Sequence, residues 1–374
     1  MQPRTAPMPA ATRTIAVAAV AIAALLFSFT PLASFVDAKL LDVQWHLRQR
    51  TVSMPPPEDI VIVGIDEETL RRVPQPAGLW HEPLGLALAR IAAARPRAIG
   101  PDFRLPDKSF DQAHPGLDRA LGLGIAAARA NGPFVVTVAI DPATREARPI
   151  HAPFLTLLHA ERLGVGLLAR DVDGVTRRFS LAIPTQQGSF PTFAGRLCTA
   201  LQRGCRDGFL DFAAGAPFRS VPLHAVLEAA DLAQLEALFR GRVVLIGETL
   251  RLANRVRVPI GYADWEARDT GDTPQIVVQA LALRTALDGS APQAASLPWT
   301  FVLAVLGALV AMLRFPWSIA GGIAAGTALV LAGFMALRSG VVLSLGTPLV
   351  AVLLAMAVSA AGAVTQRYEV RRRT

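Results

Sequence analysis

The stretch from Ile15 to Phe35 carries no charged residue and is roughly as long as the 20 residues a helix needs to cross a bilayer. Toward the other end, Trp299 to Leu313, Ile319 to Leu337 and Val341 to Val364 are similarly apolar, separated only by Arg314-Phe-Pro-Trp-Ser318 and Arg338-Ser-Gly340. In lipid every backbone polar group must be satisfied within the spanning structure, so each run is predicted to be a helix, with tight turns between the last three. These ends account for a hydrophobic content of 52%, above the soluble average. A signal peptide cut near Ala33 or Ala38 competes for the first run; its length favours an uncleaved span. The predicted layout is an N-terminal segment 1–14, a span 15–36, a folded domain 37–296, spans 297–314, 317–337 and 340–364, and a basic tail 365–374. With four spans, Arg4, Arg13, Arg314, Arg367 and Arg371 to Arg373 share one side and Arg338 lies opposite. The positive-inside rule then puts both termini in the cytoplasm and the folded domain outside it, in the periplasm if the host has two membranes.

The net charge of +8 invites a nucleic-acid reading. The arginines are scattered, however, and no basic stripe alternates with stacking aromatics, so no nucleic-acid partner is expected. No Asp, Glu, Lys or Arg lies central in a span, which argues against an ion-coupled transporter. Gly321, Gly322, Ala325 and Gly326 share a helix face suited to close packing, within the chain or against a membrane partner.

The middle of the chain is built differently. Asp59-Ile-Val-Ile-Val-Gly-Ile-Asp66 is a short β-branched run ending on an acid, the pattern of a strand buried on both faces of a parallel sheet. Ala98 to Asp102 and Arg242 to Glu248 repeat it. Helices are predicted at Asp37 to Arg50, stopped by Met54-Pro-Pro-Pro57, and at Glu67–Val73, His81–Ala94, Leu117–Ala130, Phe154–Leu163, Ala225–Leu238 and Gln275–Leu287. Further strands are predicted at Pro133–Ile140, Val165–Leu168, Phe179–Ile183 and Phe209–Phe212, a short extended entry into a helix at Ser189–Leu201, and a polar loop at Gly261–Thr273. Alternation of strand and helix argues for parallel pairing through crossover helices.

Open α/β sheets bind ligands at the carboxyl ends of their strands, which makes the acids there the first candidates. Asp66 and Asp102, if on neighbouring strands, would bring two carboxylates within reach of one another or of a cation; the alternative is that they cap the next helices, as is favoured for Glu67 and Glu68. Arg104 follows Asp102 closely and joins the candidates. Asp171-Val-Asp-Gly-Val-Thr-Arg-Arg178 offers Asp171, Asp173 and Arg177 for an ion, against the plainer reading of a charged hairpin held by local pairing, with Asp-Gly as its turn signal. Gly247-Glu248-Thr249 offers an anion cradle if a helix starts there. Cys198 and Cys205 lie seven apart, too far to bridge on one continuous helix; Gly204 is expected to end that helix and let Cys205 fold back, so a structural disulfide and two free thiols both stay open. His46, His81, His114, His151, His159 and His224 are dispersed without metal-type spacing, and no nucleophile elbow occurs. Neither enzymatic activity nor a cofactor is expected.

Four stretches together resemble the type-2 CHASE domain, the extracellular sensory domain associated with cyclases and histidine kinases. They are Ile60-Val-Ile-Val-Gly-Ile-Asp-Glu-Glu-Thr-Leu70, Ala94-Arg-Pro-Arg-Ala-Ile-Gly-Pro-Asp-Phe103, Asp171 to Arg178, and Phe239-Arg-Gly-Arg-Val-Val-Leu-Ile-Gly-Glu-Thr249. One span before the domain and three after it also match. The chain departs where the family has a Trp-Pro-Trp-like segment, here Pro76-Ala-Gly-Leu-Trp80, and where its last helix carries His-Ala, here Gln279-Ala280. The resemblance implies an α/β sensor: an extracytoplasmic, mostly parallel α/β domain with four transmembrane helices. Its partner would be an unknown small ligand. About ten residues follow the last span, so output would run through a separate membrane signalling partner, or a homo-oligomer. The alternative is a non-signalling accessory subunit of an envelope complex.

Overall fold

The computed structural model describes residues 10–51, 59–112, 114–141, 143–144, 146–186, 188–212, 218–260 and 272–373. The chain divides into two units, Met1–Thr51 with Pro292–Thr374, and Val52–Ala291.

In the first unit, helices α1 (Ala10–Phe27) and α2 (Pro31–Thr51) meet at a bend of 85°. The run predicted as one straight span is therefore broken at Ser28–Thr30. The cause is local: Pro31 has no N–H to continue a ladder and is well placed as a first helical residue. Meanwhile the Ser28 and Thr30 hydroxyls donate to the Leu25 and Phe27 carbonyls at 2.6 and 2.7 Å. The Met54–Pro57 stop lies outside the described residues.

The second unit opens with β1 (Ile60–Ile65), α3 (Glu67–Arg72), α4 (His81–Ala93), β2 (Ala98–Pro101) and α5 (Leu117–Ala130). Then follow β3 (Val136–Val138), α6 (Ala152–Leu158), β4 (Leu163–Val165), β5 (Arg178–Phe179), β6 (Ala182–Thr185), β7 (Gly188–Pro191), α7 (Phe193–Ala200) and β8 (Gly208–Phe209). It closes with β9 (Arg219–Pro222), α8 (Leu223–Glu228), α9 (Leu232–Phe239), β10 (Val243–Glu248), β11 (Arg255–Arg257), β12 (Asp272–Pro274) and α10 (Gln275–Leu287). Most of the predicted 261–273 loop lies outside the described residues.

The central sheet is parallel, in the order β2-β10-β1-β9. A bridge from Ile99 to Phe134 leads on to the parallel pair β3–β4. Every residue of β1 and β2 is buried, as expected of strands covered on both sides. Val61, Val63, Ile65, Val244 and Ile246 pack toward α4, α5 and α9. The opposite face meets α7 and α10: an added Cβ on Gly100 would lie 2.8 Å from Phe193, and one on Gly247 2.8 Å from Ile276. Helices α4 and α5 touch backbone to backbone, because an added Cβ on Gly85 would stand 2.3 Å from the Ala120 oxygen and one on Gly124 2.3 Å from the Gly85 oxygen.

Two predicted elements divide. The helix expected over Ala225–Leu238 breaks before Asp231, whose carboxylate accepts from the Gln234 amide at 2.8 Å and starts α9 afresh. The strand expected over Phe179–Ile183 splits into β5, paired with β8, and β6, paired with β7. No strand precedes the Asp173-Gly174 turn, so it is not a hairpin; the hairpin is β6–β7.

Back in the first unit, β13 (Gln293–Ala294) precedes α11 (Leu297–Ala308), which runs into a tighter turn, Leu309–Met312. Helix α12 (Trp317–Arg338), β14 (Val341–Val342) and α13 (Gly346–Arg373) follow. The last helix starts later than predicted because Val341–Val342 pairs in parallel with Gln293–Ala294. By length and composition α12 and α13 are apolar enough to cross a membrane, and α1–α2 is a third candidate if the bent pair counts as one span. Small residues bring these helices together: Ala24, Ala304, Ala308, Ala351 and Ala355 form one buried cluster, and Gly322 of α12 leaves room for Met356 of α13. Ile22, Leu306, Ile323, Leu331 and Leu353 face outward.

Candidate functional site

Strand order decides which acids meet. Because β10 lies between β1 and β2, Asp66 and Asp102 are not neighbours; the residue paired across from Ile65 is Glu248. The expected Asp66–Asp102 wall is thereby corrected to Asp102 beside Glu248. Asp66 caps α3, accepting from the amide and hydroxyl of Thr69, both at 2.7 Å. His224 supports that turn, its Nδ1 lying 3.1 Å from the Thr69 hydroxyl and 3.8 Å from Asp66. Glu67 accepts from the Arg251 amide at 2.8 Å, bracing the segment after β10. Glu68 pairs with Arg71 and Arg72, which hold its carboxyl down at about 2. The acids around α3 are therefore engaged in holding local structure.

Asp102 ends β2, its amide donating to the Ile246 carbonyl at 2.6 Å. Its carboxyl is closed in by the first turn of α10 and by the chain after β4. Gln275 Nε2 donates to Asp102 Oδ2 at 3.2 Å and approaches the Gly166 carbonyl at the same distance, while Gln279 Nε2 donates to that carbonyl at 2.9 Å. Gly166 must be small: a Cβ there would stand 3.1 Å from Asp102 Oδ1 and 3.3 Å from Thr137. Burial pushes the Asp102 pKa up to about 6; hydrogen bonds from Gln275 and Thr137 oppose the rise, and the charge of Glu248 adds to it. Glu248 itself is held by Asn254 at 2.5 Å. Gln275 and residues Leu167 to Arg170 with Val256 line a cleft of about 500 Å³. A smaller hollow of about 70 Å³ adjoins Gln279.

Gln275, Gln279, Thr137 and Asn254 were not among the sequence candidates. The first two had a signal: they are the polar pair four apart in the otherwise apolar run Gln275-Ile-Val-Val-Gln-Ala-Leu-Ala-Leu283. Gln279 secures the backbone beside Asp102. No helix follows β10 directly, so Gly247-Glu248-Thr249 does not form the anticipated anion cradle; Thr249 instead donates its amide to the Ile65 carbonyl at 2.9 Å.

Asp171, Asp173 and Arg177 come together as a structural knot. Arg177 is 1% exposed and donates to Asp171 Oδ2 at 2.9 Å and to Asp173 Oδ1 and Oδ2 at 2.9 and 2.8 Å; Arg178 takes the other Asp171 oxygen at 2.6 Å. The Arg177 carbonyl accepts from Leu210, and the Thr176 amide donates to Arg257, so the knot ties three segments. Cys198 and Cys205 are disulfide-bonded, with Cα atoms 6.2 Å apart. Helix α7 ends before Gly204, and Gln202 takes the left-handed turn, at φ 55°. Arg104 lines a separate cavity with His81. Among the described residues no group of three His, Cys, Asp or Glu is placed to hold a metal ion.

No curated protein and no solved structure matches the chain. The model of one family, the CHASE2 domain, matches residues 16–317. That match takes in the parallel sheet, the acid-tipped strands and the Asp171–Arg178 knot, and on it the chain belongs to the CHASE2 family of sensory domains.

Proposed function

We propose that the chain is a membrane-anchored sensor whose α/β domain lies outside the cytoplasm, binds a small polar ligand at the Asp102 cleft, and passes the change through its spans to a separate output protein. Family membership supports the sensory role. The observation that carries the site is the enclosed Asp102 carboxyl, raised to about 6 beside Glu248 and met by the Gln275 amide at the edge of the cleft. Perturbed acids in a concave site mark functional positions. Gln275 and Arg170 line the cleft and Asp102 lies behind Gln275, so a ligand carrying both a donor for Asp102 and an acceptor for Arg170, such as an amino acid, suits it. A ligand that binds only the folded state raises its thermal midpoint. Full-length protein in lipid nanodiscs, heated with a panel of small amines, amino acids and divalent cations, is expected to show a raised midpoint with at least one. The Asp102→Asn protein is expected to lose that shift. A panel without effect, or a shift that survives Asp102→Asn, removes Asp102 from the site; co-purification of a membrane protein under the same conditions would then favour the accessory-subunit role.

A further inference from the structure

On the other face of the sheet, a cavity of about 330 Å³ opens between the first turns of α4 and α5 and the loop after β2, lined by Trp80, His81, Arg104, Asp107, Phe110 and Arg148. That volume suits a small organic molecule. The Gly85–Gly124 contact brings the helix starts together, so that His81 and Asp118 face each other.

His81 is 3% exposed, and among the described residues neither ring nitrogen has a hydrogen-bond partner. Its Nε2 stands 3.6 Å from Asp118 Oδ1, which also lacks one. The other Asp118 oxygen takes the Ser109 hydroxyl at 2.6 Å and lies 3.6 Å from His151 Nε2. Burial lowers the His81 pKa against the pull of Asp118 and Asp111, so the ring is neutral at pH 7, with one donor and one acceptor. With its proton on Nε2, toward Asp118, Nδ1 is left as an acceptor that needs a donor. The tautomer is assigned from this geometry. At the mouth, Arg104 and Arg148 are exposed, and neither makes an ion pair among the described residues. Arg104 and Arg148 line the mouth beside Asp107, with Asp111 and Asp118 behind His81 and Asp141 near Arg148; a guanidinium pair of this kind can take a carboxylate in bidentate hydrogen bonds.

We propose that this cavity binds a small organic carboxylate bearing a hydroxyl at its far end: the carboxylate on Arg104 and Arg148, the body against Trp80 and Phe110, the hydroxyl donating to His81. This site is independent of the Asp102 cleft. The test is calorimetric titration of the full-length protein in nanodiscs with 4-hydroxybenzoate, benzoate and methyl 4-hydroxybenzoate. Saturable binding of the first is expected, with benzoate and the ester each about tenfold weaker or worse. Arg104→Ala combined with Arg148→Ala, both at exposed positions, is expected to weaken 4-hydroxybenzoate about tenfold without moving the thermal midpoint. His81→Phe should erase the advantage of 4-hydroxybenzoate over benzoate, and Asp102→Asn should leave all three affinities unchanged. No saturable binding at millimolar concentration, equal binding of the three probes, or full binding by the double arginine variant overturns the proposal.

Discussion

Burial disfavours the charged form of a carboxyl, and in Asp102 this outweighs the hydrogen bonds that oppose it. The sign for stability follows. A carboxyl whose pKa rises from 3.8 unfolded to about 6 folded binds its proton more tightly in the folded state, so wild-type stability is greatest below pH 4 in this respect and falls as pH rises to about 6. The full shift corresponds to roughly 3 kcal/mol; partial contact of the residue with water makes about 2 kcal/mol the better expectation. Asp102→Asn keeps the shape and removes the charge. Its thermal midpoint at pH 7.5 is expected to exceed that of the wild type, and the pH 4 to 6 slope of the wild type should flatten. Equal slopes in the two proteins would show that Asp102 ionises as freely folded as unfolded. Asp66, the same residue type at the end of β1, shows the contrast: it accepts two hydrogen bonds as a helix cap and sits apart from the cleft.

Helices α4 and α5 depend on a contact that only glycine permits. Gly85→Ala would set a methyl 2.3 Å from the Ala120 carbonyl oxygen, a backbone atom that cannot rotate away. Overpacking of this kind costs about 1–3 kcal/mol. Because the same contact aligns His81 with Asp118, the variant should also lose 4-hydroxybenzoate binding, whereas Gly204→Ala, with nothing within 4 Å of its added methyl and away from the cavity, should change neither. Midpoints and titrations of the two variants check this. Helix boundaries in this domain were legible where pattern and capping agree: Leu117–Ala130 and Gln275–Leu287 form over the predicted residues. They were not legible where a side chain intervened, as with Asp231 between α8 and α9, or where a proline restarts the helix, as at Pro31. Hydrophobic pattern alone does not register such competition.

For the molecule as a whole, the arginine distribution makes a topological prediction. An alkaline phosphatase reporter, which needs disulfides and is active only outside the cytoplasm, is expected to be active when fused after Gly289 and after Arg338, and inactive after Arg314 and after Gln366. Activity after Gln366 would leave the sensor domain and the tail on the same side and defeat the four-span arrangement. The bent α1–α2 pair and the short α11 make this fusion series informative, since among the described residues length and composition alone qualify only α12 and α13 as single helices able to cross.

Much was determined by local sequence. β-branched runs such as Ile60–Ile65 specify buried strands because only a doubly covered sheet hides them, and the apolar ends specify helices because lipid offers no backbone partners. The Asp171–Arg178 turn is self-sufficient, its charges closing on one another within eight residues. Strand order is different. Nothing in the β1, β2 or β10 sequences states that β10, which starts at Val243, long after β2 ends at Pro101, inserts between the first two; that follows from the packing of crossover helices across the finished sheet. Insertion of β10 separated Asp66 from Asp102, brought Glu248 and Gln275 to the latter, and left Arg104 to a different cavity. The meeting of His81, Asp118 and His151 has the same origin, because side chains this distant in the chain are joined only when the helices that carry them pack.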